Sequence, residues 1–393
     1  MRRFNALTGC SILTKSIFEL LIIKVTRSKI KNNPVGGNLY LGYWYNRFSI
    51  FLLYLIIRKK SIGEIEMETI KSDKYEYHCY YYVDEEVEGS DRINKALDII
   101  RDFLKKVEER TQVKNILSRV VAYDCREING FSIKQGGEYI IAISLGTFHE
   151  LYKWFLTWFS CEKTYESLSL DKSKKAEYIQ KAYECSIRFL IAHEFYHVGN
   201  GHCDLPENEE QFIFERSSEI EKENALFKQT LEYDADCCAM ACCVNHILYK
   251  EMIKKVRLDV LKEELQIQLF AIYSVFKMFS QYEEYDFDNF IDDDLFKYDH
   301  PNAGLRFVVT EYVMSTIING IFEEKDANEL CENPVINIIS FEKEVLCIDN
   351  IKETLFGIAF TKKGDDHIVR MHNAWEGVRK RLETYAYNDL AQF

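Results

Sequence analysis

The run His193-Glu194-Phe195-Tyr196-His197 sets two imidazoles four residues apart. On a helix both would project from one face, a turn apart, which lets two imidazoles share one metal ion. Glu194 directly follows the first of them and can reach, from the side, a water held by that ion. Zinc lowers the pKa of a bound water towards ~7, so a neighbouring carboxylate can take its proton as it attacks a peptide carbonyl. Without a metal the same residues would be an ordinary buried histidine pair. The preceding Phe189-Leu190-Ile191-Ala192 supplies the apolar surface that a buried helix requires.

A catalytic zinc takes a third protein ligand and keeps a fourth position open. In the metzincin arrangement a third His falls six residues after the second, with Gly three after it. Here Cys203 and Asn200 hold those positions, which excludes that arrangement. His202 stands one residue early, just past the break Gly199-Asn200-Gly201, and is either a ligand or a residue lining the helix end. The stronger candidate is Glu232, in Glu232-Tyr233-Asp234-Ala235-Asp236. Asp236 lies one turn further on and could accept the free N–H of a ligand His, fixing its tautomer and orientation. Taken without the histidines, these acids would be a solvated first turn favoured by the helix dipole.

The surrounding pattern predicts an α+β fold, predominantly helical, with a small sheet. Ile93, Leu97, Ile100, Leu104 and Val107 recur at helical spacing and predict a helix over 91–110. The short runs 119–123 and 139–144 read as strands, punctuated by Gly136-Gly137. Residues 151–159 start a buried aromatic helix, and 173–198 form the long helix that carries the histidines. A polar link over 206–223 leads to a helix over 231–256, followed by one over 261–279 and an acidic, solvated loop over 282–294. His300-Pro301 opens a helical segment to about 321, 336–348 has strand character, and 368–385 is a closing helix. No internal repeat is visible. The chain divides into 1–66, an α/β portion over 67–170, a metal-binding helical portion over 171–325, and an α/β portion over 326–393 packed on the core.

With 393 residues, 47% hydrophobic and 29% charged, the chain can bury a large core. Residues 1–60 hold eleven Lys or Arg against one acid, a charge of +10, which leaves −23 for the rest of the −13 total. So acidic a body disfavours nucleic acid as a partner. The twelve Cys include no CxxC pair, and Cys237, Cys238, Cys242 and Cys243 read as small buried hydrophobes in a reducing, cytoplasmic compartment. The first 66 residues differ in composition from the remainder of the chain. The apolar run 40–57, closed by Arg58-Lys59-Lys60, is about the length of a membrane span, but Arg47 sits near its middle. Three readings compete for it: a basic membrane anchor acting through 40–60, an ordinary buried segment, or an upstream extension ahead of a start at Met67.

The order His-Glu-x-x-His, then Glu-x-x-Ala-Asp, then His300-Pro301-Asn302-Ala303-Gly304-Leu305-Arg306 resembles the gluzincin metallopeptidases, including their HtpX-like and CAAX prenyl-protease branch. The strand residues 138–145 and the aromatic stretch 152–159 with Tyr165 are closest to the Lit-type phage-exclusion peptidases. The resemblance covers about 115–320 and is absent from 1–66. It implies a zincin core, Zn2+ as cofactor, His193, His197 and Glu232 as ligands, Glu194 as general base and Asp236 behind a ligand His. It also implies that His300 approaches the active site to stabilise an oxyanion, with a helix N-cap or a core contact as its alternatives. Arg306 would tie that segment to the ligand helix, or else form an ordinary ion pair elsewhere. The activity implied is hydrolysis of a protein or peptide substrate, in phage defence an essential host translation factor such as elongation factor Tu. The rivals are a membrane-associated housekeeping protease and a non-catalytic zincin-fold regulatory module.

Overall fold

Residues 138–144 alternate so that both faces are apolar, as suits an inner strand. In the computed structural model, which describes residues 68–71, 76–110, 118–205, 218–254, 257–285, 290–331 and 334–390, they form an inner strand of a mixed sheet. The strands are β1 (Glu68–Lys71), β2 (Glu76–Tyr80), β3 (Ser118–Tyr123), β4 (Gly130–Gln135) and β5 (Glu138–Ser144), in the order β1-β2-β3-β5-β4. Strands β3 and β5 are parallel, in register from Ser118 opposite Tyr139 to Tyr123 opposite Ser144, and the other pairs are antiparallel. Val120, Ala122, Ile141 and Ile143 face the main core, whereas Val121, Tyr123, Ile140 and Ala142 pack on the opposite face with Tyr77 and Phe131.

The glycine pair joins β4 to β5 through a two-residue loop. Gly136 and Gly137 have φ of 62° and 86°, the left-handed values that a tight hairpin needs at both positions. Strand β4 itself was not anticipated from sequence, because its residues are half-exposed and mixed in polarity, as befits an edge.

Helices dominate the remainder: α1 (Ser90–Arg110), α2 (Leu145–Trp158), α3 (Glu162–Leu168), α4 (Lys175–Gly199), α5 (Ser218–Lys254), α6 (Leu258–Phe279), α7 (Ala303–Ile321), α8 (Glu324–Cys331), α9 (Pro334–Glu344) and α10 (Lys362–Leu382). The fold is therefore predominantly helical with a small mixed sheet. Helix α4 is its axis. It packs on α5 and α6 and lies against β4 and β5, while α5 also carries α7 and α10.

Several elements depart from their sequence expectation. The β-branched run 336–348 is not a strand: Pro334 to Glu344 is helix, entered at a proline whose missing N–H costs nothing at a first helical position. Ile338 and Phe341 are fully buried there while Ile336 is exposed, so packing at a spacing of three to four overrides strand propensity. Helix α2 begins at Leu145, six residues before the expected 151, because the Ser144 side chain caps it by accepting from the Thr147 amide. Helix α5 begins at Ser218 rather than Leu231, taking in the end of the polar link, whose residues 206–217 lie outside the described residues. The acidic loop is not simply solvated, since the Glu283 carboxylate accepts from Asn302 Nδ2 at 2.7 Å and from the Ala303 amide at 2.9 Å.

Cys237 and Cys243 are buried, whereas Cys238 and Cys242 are half-buried, and no disulfide forms among the described residues. Burial pushes the thiols of Cys237, Cys238 and Cys243 well above their usual pKa, so they stay neutral. No helix among the described residues is long and apolar enough to cross a membrane. The stretch 1–66, with its anchor and start-site readings, lies outside the described residues.

Candidate metal centre

Helix α4 enters the core on Ile187, Phe189, Ile191 and Ala192, all essentially fully buried, which fixes its rotation. His193 and Glu194 are thereby buried and His197 half-buried. Helix α5, which packs on α4, carries Glu232 and Asp236 alongside the fully buried, small Ala235 and Ala239.

Three ligand-bearing atoms converge where the two helices meet. His193 Nε2 lies 3.0 Å from His197 Nε2 and 3.2 Å from Glu232 Oε2, and His197 Nε2 lies 3.3 Å from Glu232 Oε1. His193 and Glu232, both buried, and half-buried His197 thus form a group able to hold a metal ion. The donor set fits one. Two imidazole nitrogens aimed at each other and at one carboxylate cannot all be satisfied by protons, whereas a single cation satisfies all three.

The remaining sequence candidates assemble around this group. Asp236, with no exposed surface, approaches His193 Nδ1 at 2.9 Å, on the far side of the ring from the convergence point. Arg306 meets both Asp236 oxygens, Nε at 2.7 Å and Nη2 at 2.9 Å, and its Nη2 lies 3.2 Å from Glu232 Oε2. The Asp236–Arg306 pair therefore forms at the site and not elsewhere. His300 Nδ1 is 3.1 Å from Glu232 Oε2, with 63% of its side chain exposed, so it stands at the mouth of the site. It is neither a core contact nor the cap of α7, which is Asn302, accepting from the Gly304 amide at 3.0 Å. Glu194 turns towards β4: a β-carbon added at Gly130 would lie 3.6 Å from its Oε1.

Electrostatics tie these groups together. Burial opposes protonation of His193, yet Asp236 and then Glu232 override it and hold its pKa up at about 10. Burial likewise works against the charged form of Glu232, but His300, His197 and His193 keep its carboxyl well below the usual range. Asp236 is lowered by Arg306 and His193 against its own burial. The buried carboxylates thus favour positive charge on His193, and the histidines favour negative charge on Glu232.

His202 is not part of the ligand group. Its Nδ1 lies 2.9 Å from His197 Nδ1, the nitrogen turned away from the convergence point, and its Nε2 lies 3.2 Å from Asp234 Oδ2. Asp234, Asn200, Gln229 and Glu283 were not singled out from sequence. Asp234 sits in the same acidic triplet as Glu232 and Asp236, the one signal that could have flagged it; the other three are ordinary polar residues until the fold brings them in. Comparisons of the chain with protein-family models, with curated proteins and with solved structures find no match.

Proposed function

We propose that this chain is a zinc-dependent endopeptidase of the gluzincin type. The observation that carries the reading is the convergence of His193 Nε2, His197 Nε2 and Glu232 on one point, with Glu194 next in the chain after the first ligand. Their separations of 3.0, 3.2 and 3.3 Å suit the edges of a zinc tetrahedron, about 3.3 Å for ligand bonds of about 2.0–2.1 Å. An N,N,O donor set with two imidazoles favours zinc over magnesium or calcium, which prefer all-oxygen shells.

When bound, zinc supplies a Lewis acid for the scissile carbonyl and a nucleophile at neutral pH. The protein's own residues supply the rest. Asp236, anchored by Arg306, accepts from His193 Nδ1 and so keeps the Nε2 lone pair aimed inward. Glu194, buried beside Gly130, takes the proton of the attacking water and returns it to the leaving amine nitrogen. His300 has Nδ1 committed to Glu232, which leaves its Nε2 as the donor available to a developing oxyanion. Strand β4 is the sheet edge beside Glu194. An extended peptide can add to a sheet edge through its main chain, and such an edge next to the proposed base suits a protein substrate. On the resemblance to Lit-type peptidases, that substrate is a host protein cleaved during phage infection, a translation factor being the first to try.

Metal analysis of the purified chain beside Glu232→Ala tests the site: wild type is expected to hold about one zinc per chain and the variant far less. Glu194→Gln should keep its zinc and lose proteolysis. Equal zinc in wild type and Glu232→Ala would refute the ligand set, and full proteolysis by Glu194→Gln would refute the role of the base.

A further inference from the structure

Beyond the ligands, the end of α4 folds back on itself in a way the proposed chemistry does not use. After Gly199 the chain turns through Asn200 and Gly201, whose φ of 83° is left-handed. A β-carbon at Gly201 would come within 2.6 Å of the Tyr385 backbone, so the turn admits only glycine. The reversal brings His202 against the outer side of His197, with its side chain 3% exposed. It joins His197 Nδ1 at 2.9 Å on one side and approaches Asp234 Oδ2 at 3.2 Å on the other. Asp234 is itself fixed, since Asn200 Nδ2 donates to its Oδ2 at 2.6 Å and Asn388 Nδ2 donates to Asn200 Oδ1 at 3.1 Å.

We infer that His202 and Asp234 are positioning residues for the second metal ligand, forming a relay from Asp234 through His202 to His197. The inference rests on the zinc reading, because it takes His197 as a ligand. The hydrogen positions follow from that alone. With the Nε2 lone pair of His197 given to a metal, its proton must sit on Nδ1 and be donated to His202 Nδ1. His202 then carries its own proton on Nε2, the nitrogen 3.2 Å from Asp234 Oδ2. Helix α5 so serves both histidines: Asp236 braces His193 directly, and Asp234 braces His197 through an interposed imidazole. Glu232 supplies its carboxylate to the convergence point. His202 thus belongs behind the site rather than in it, and the acidic triplet spaced two apart has a use for every member.

The test is zinc affinity of chelator-stripped protein, measured by competition with a chromogenic chelator, together with the visible spectrum of the cobalt-loaded protein. His202→Leu keeps the volume and removes the acceptor, and it is expected to bind zinc roughly 10–100-fold more weakly, the usual cost of losing a partner behind a ligand. His202→Gln restores an acceptor, its amide oxygen, and should recover most of that loss and the wild-type cobalt spectrum. A purely structural role would not separate these two variants. Zinc binding by His202→Leu within about twofold of wild type would overturn the relay, and so would equal losses in His202→Leu and His202→Gln. Should His202→Leu fail to fold, Asp234→Asn, which keeps the shape and removes the charge, decides: a loss of roughly threefold or more supports the relay, and an unchanged affinity overturns it. A wild type that binds no zinc removes the peptidase reading as well, whereas wild-type binding with indifferent His202 and Asp234 variants removes only the relay.

Discussion

Arg306 sets its guanidinium fork squarely on Asp236, with Nε 2.7 Å from one carboxylate oxygen and Nη2 2.9 Å from the other. Both side chains are almost wholly buried, at 10% and 0% exposure. Such a pair is expensive to break from one side, since the partner is left as an uncompensated buried charge, at ~3–5 kcal/mol. Arg306→Leu should therefore lower the unfolding free energy, read from urea titration, by an amount in that range and weaken zinc binding, because Asp236 would turn from His193. Arg306→Lys keeps the charge without the fork and should fall between. A fully stable Arg306→Leu would show that the pair does not organise the site.

Glu283, which touches none of the three proposed ligands, gives a pH signature of its own. Burial raises its carboxyl from 4.5 to about 7, although the Ala303 amide, Arg306, Asn302 and His300 all favour the charged form. The folded pKa lies above the unfolded one, so the folded state holds the proton more tightly. Its contribution is complete below about pH 4.5 and is lost as pH rises through about 7. After allowance for partial exposure this amounts to ~2 kcal/mol. In metal-free protein, Glu283→Gln should flatten the stability profile between pH 4.5 and 7; an unaltered profile would assign that slope to other groups.

His367 should act in the opposite sense. Burial, with Arg370, depresses its pKa from 6.5 to about 4, so its neutral form is the one the fold accepts. Its stabilisation is present above pH 6.5 and disappears as pH falls towards 4. The ring meets Gln229 Oε1 at 2.8 Å, and Gln229 Nε2 donates to the Leu295 and Tyr298 carbonyls, each at 2.8 Å. Gln229 thus holds the segment that presents His300 to Glu232. Gln229→Leu is expected to keep zinc and to reduce kcat by about tenfold or more through misplacement of His300. An unchanged kcat would mean that His300 has no part in the reaction.

The segment after α10 should matter to α4. Tyr387 and Asn388 both donate their amides to the Gly199 carbonyl, at 2.8 and 3.0 Å, and the Tyr387 hydroxyl meets that of Tyr139 at 2.7 Å. Ending the chain after Thr384 removes these contacts and uncovers the last turn of α4. A stability loss of ~2–4 kcal/mol is expected from their sum, together with weaker zinc binding, read by thermal unfolding and chelator competition. Unchanged zinc affinity in the shortened chain would separate the segment from the site.

What the sequence revealed of the site follows from distance along the chain. His193, Glu194 and His197 lie within one turn, so periodicity alone aligned them, and Glu232 with Asp236 repeats the same spacing on the partner helix. Arg306 and His300 were reached through a motif rather than through periodicity. His202 was visible but ambiguous, because its role depends on a reversal at Gly201 that is held in place by residues near 385. Gln229 and Asn200 carried no signal, since each acts only through contacts far away in sequence. The helix over 334–344 and strand β4 were missed for a related reason: isoleucines favour strands until packing selects a helical stripe, and an edge strand need not alternate.

The fastening of α4 by residues 387 and 388 also sets a timetable for synthesis. Asn388 reaches back 188 positions to Asn200. While a ribosome is still adding α10, the turn beyond His197 has no clamp and His202 no fixed seat. The metal-binding group can therefore reach its finished form only after residues 387 and 388 have been made, long after His193, His197 and Glu232 have left the ribosome.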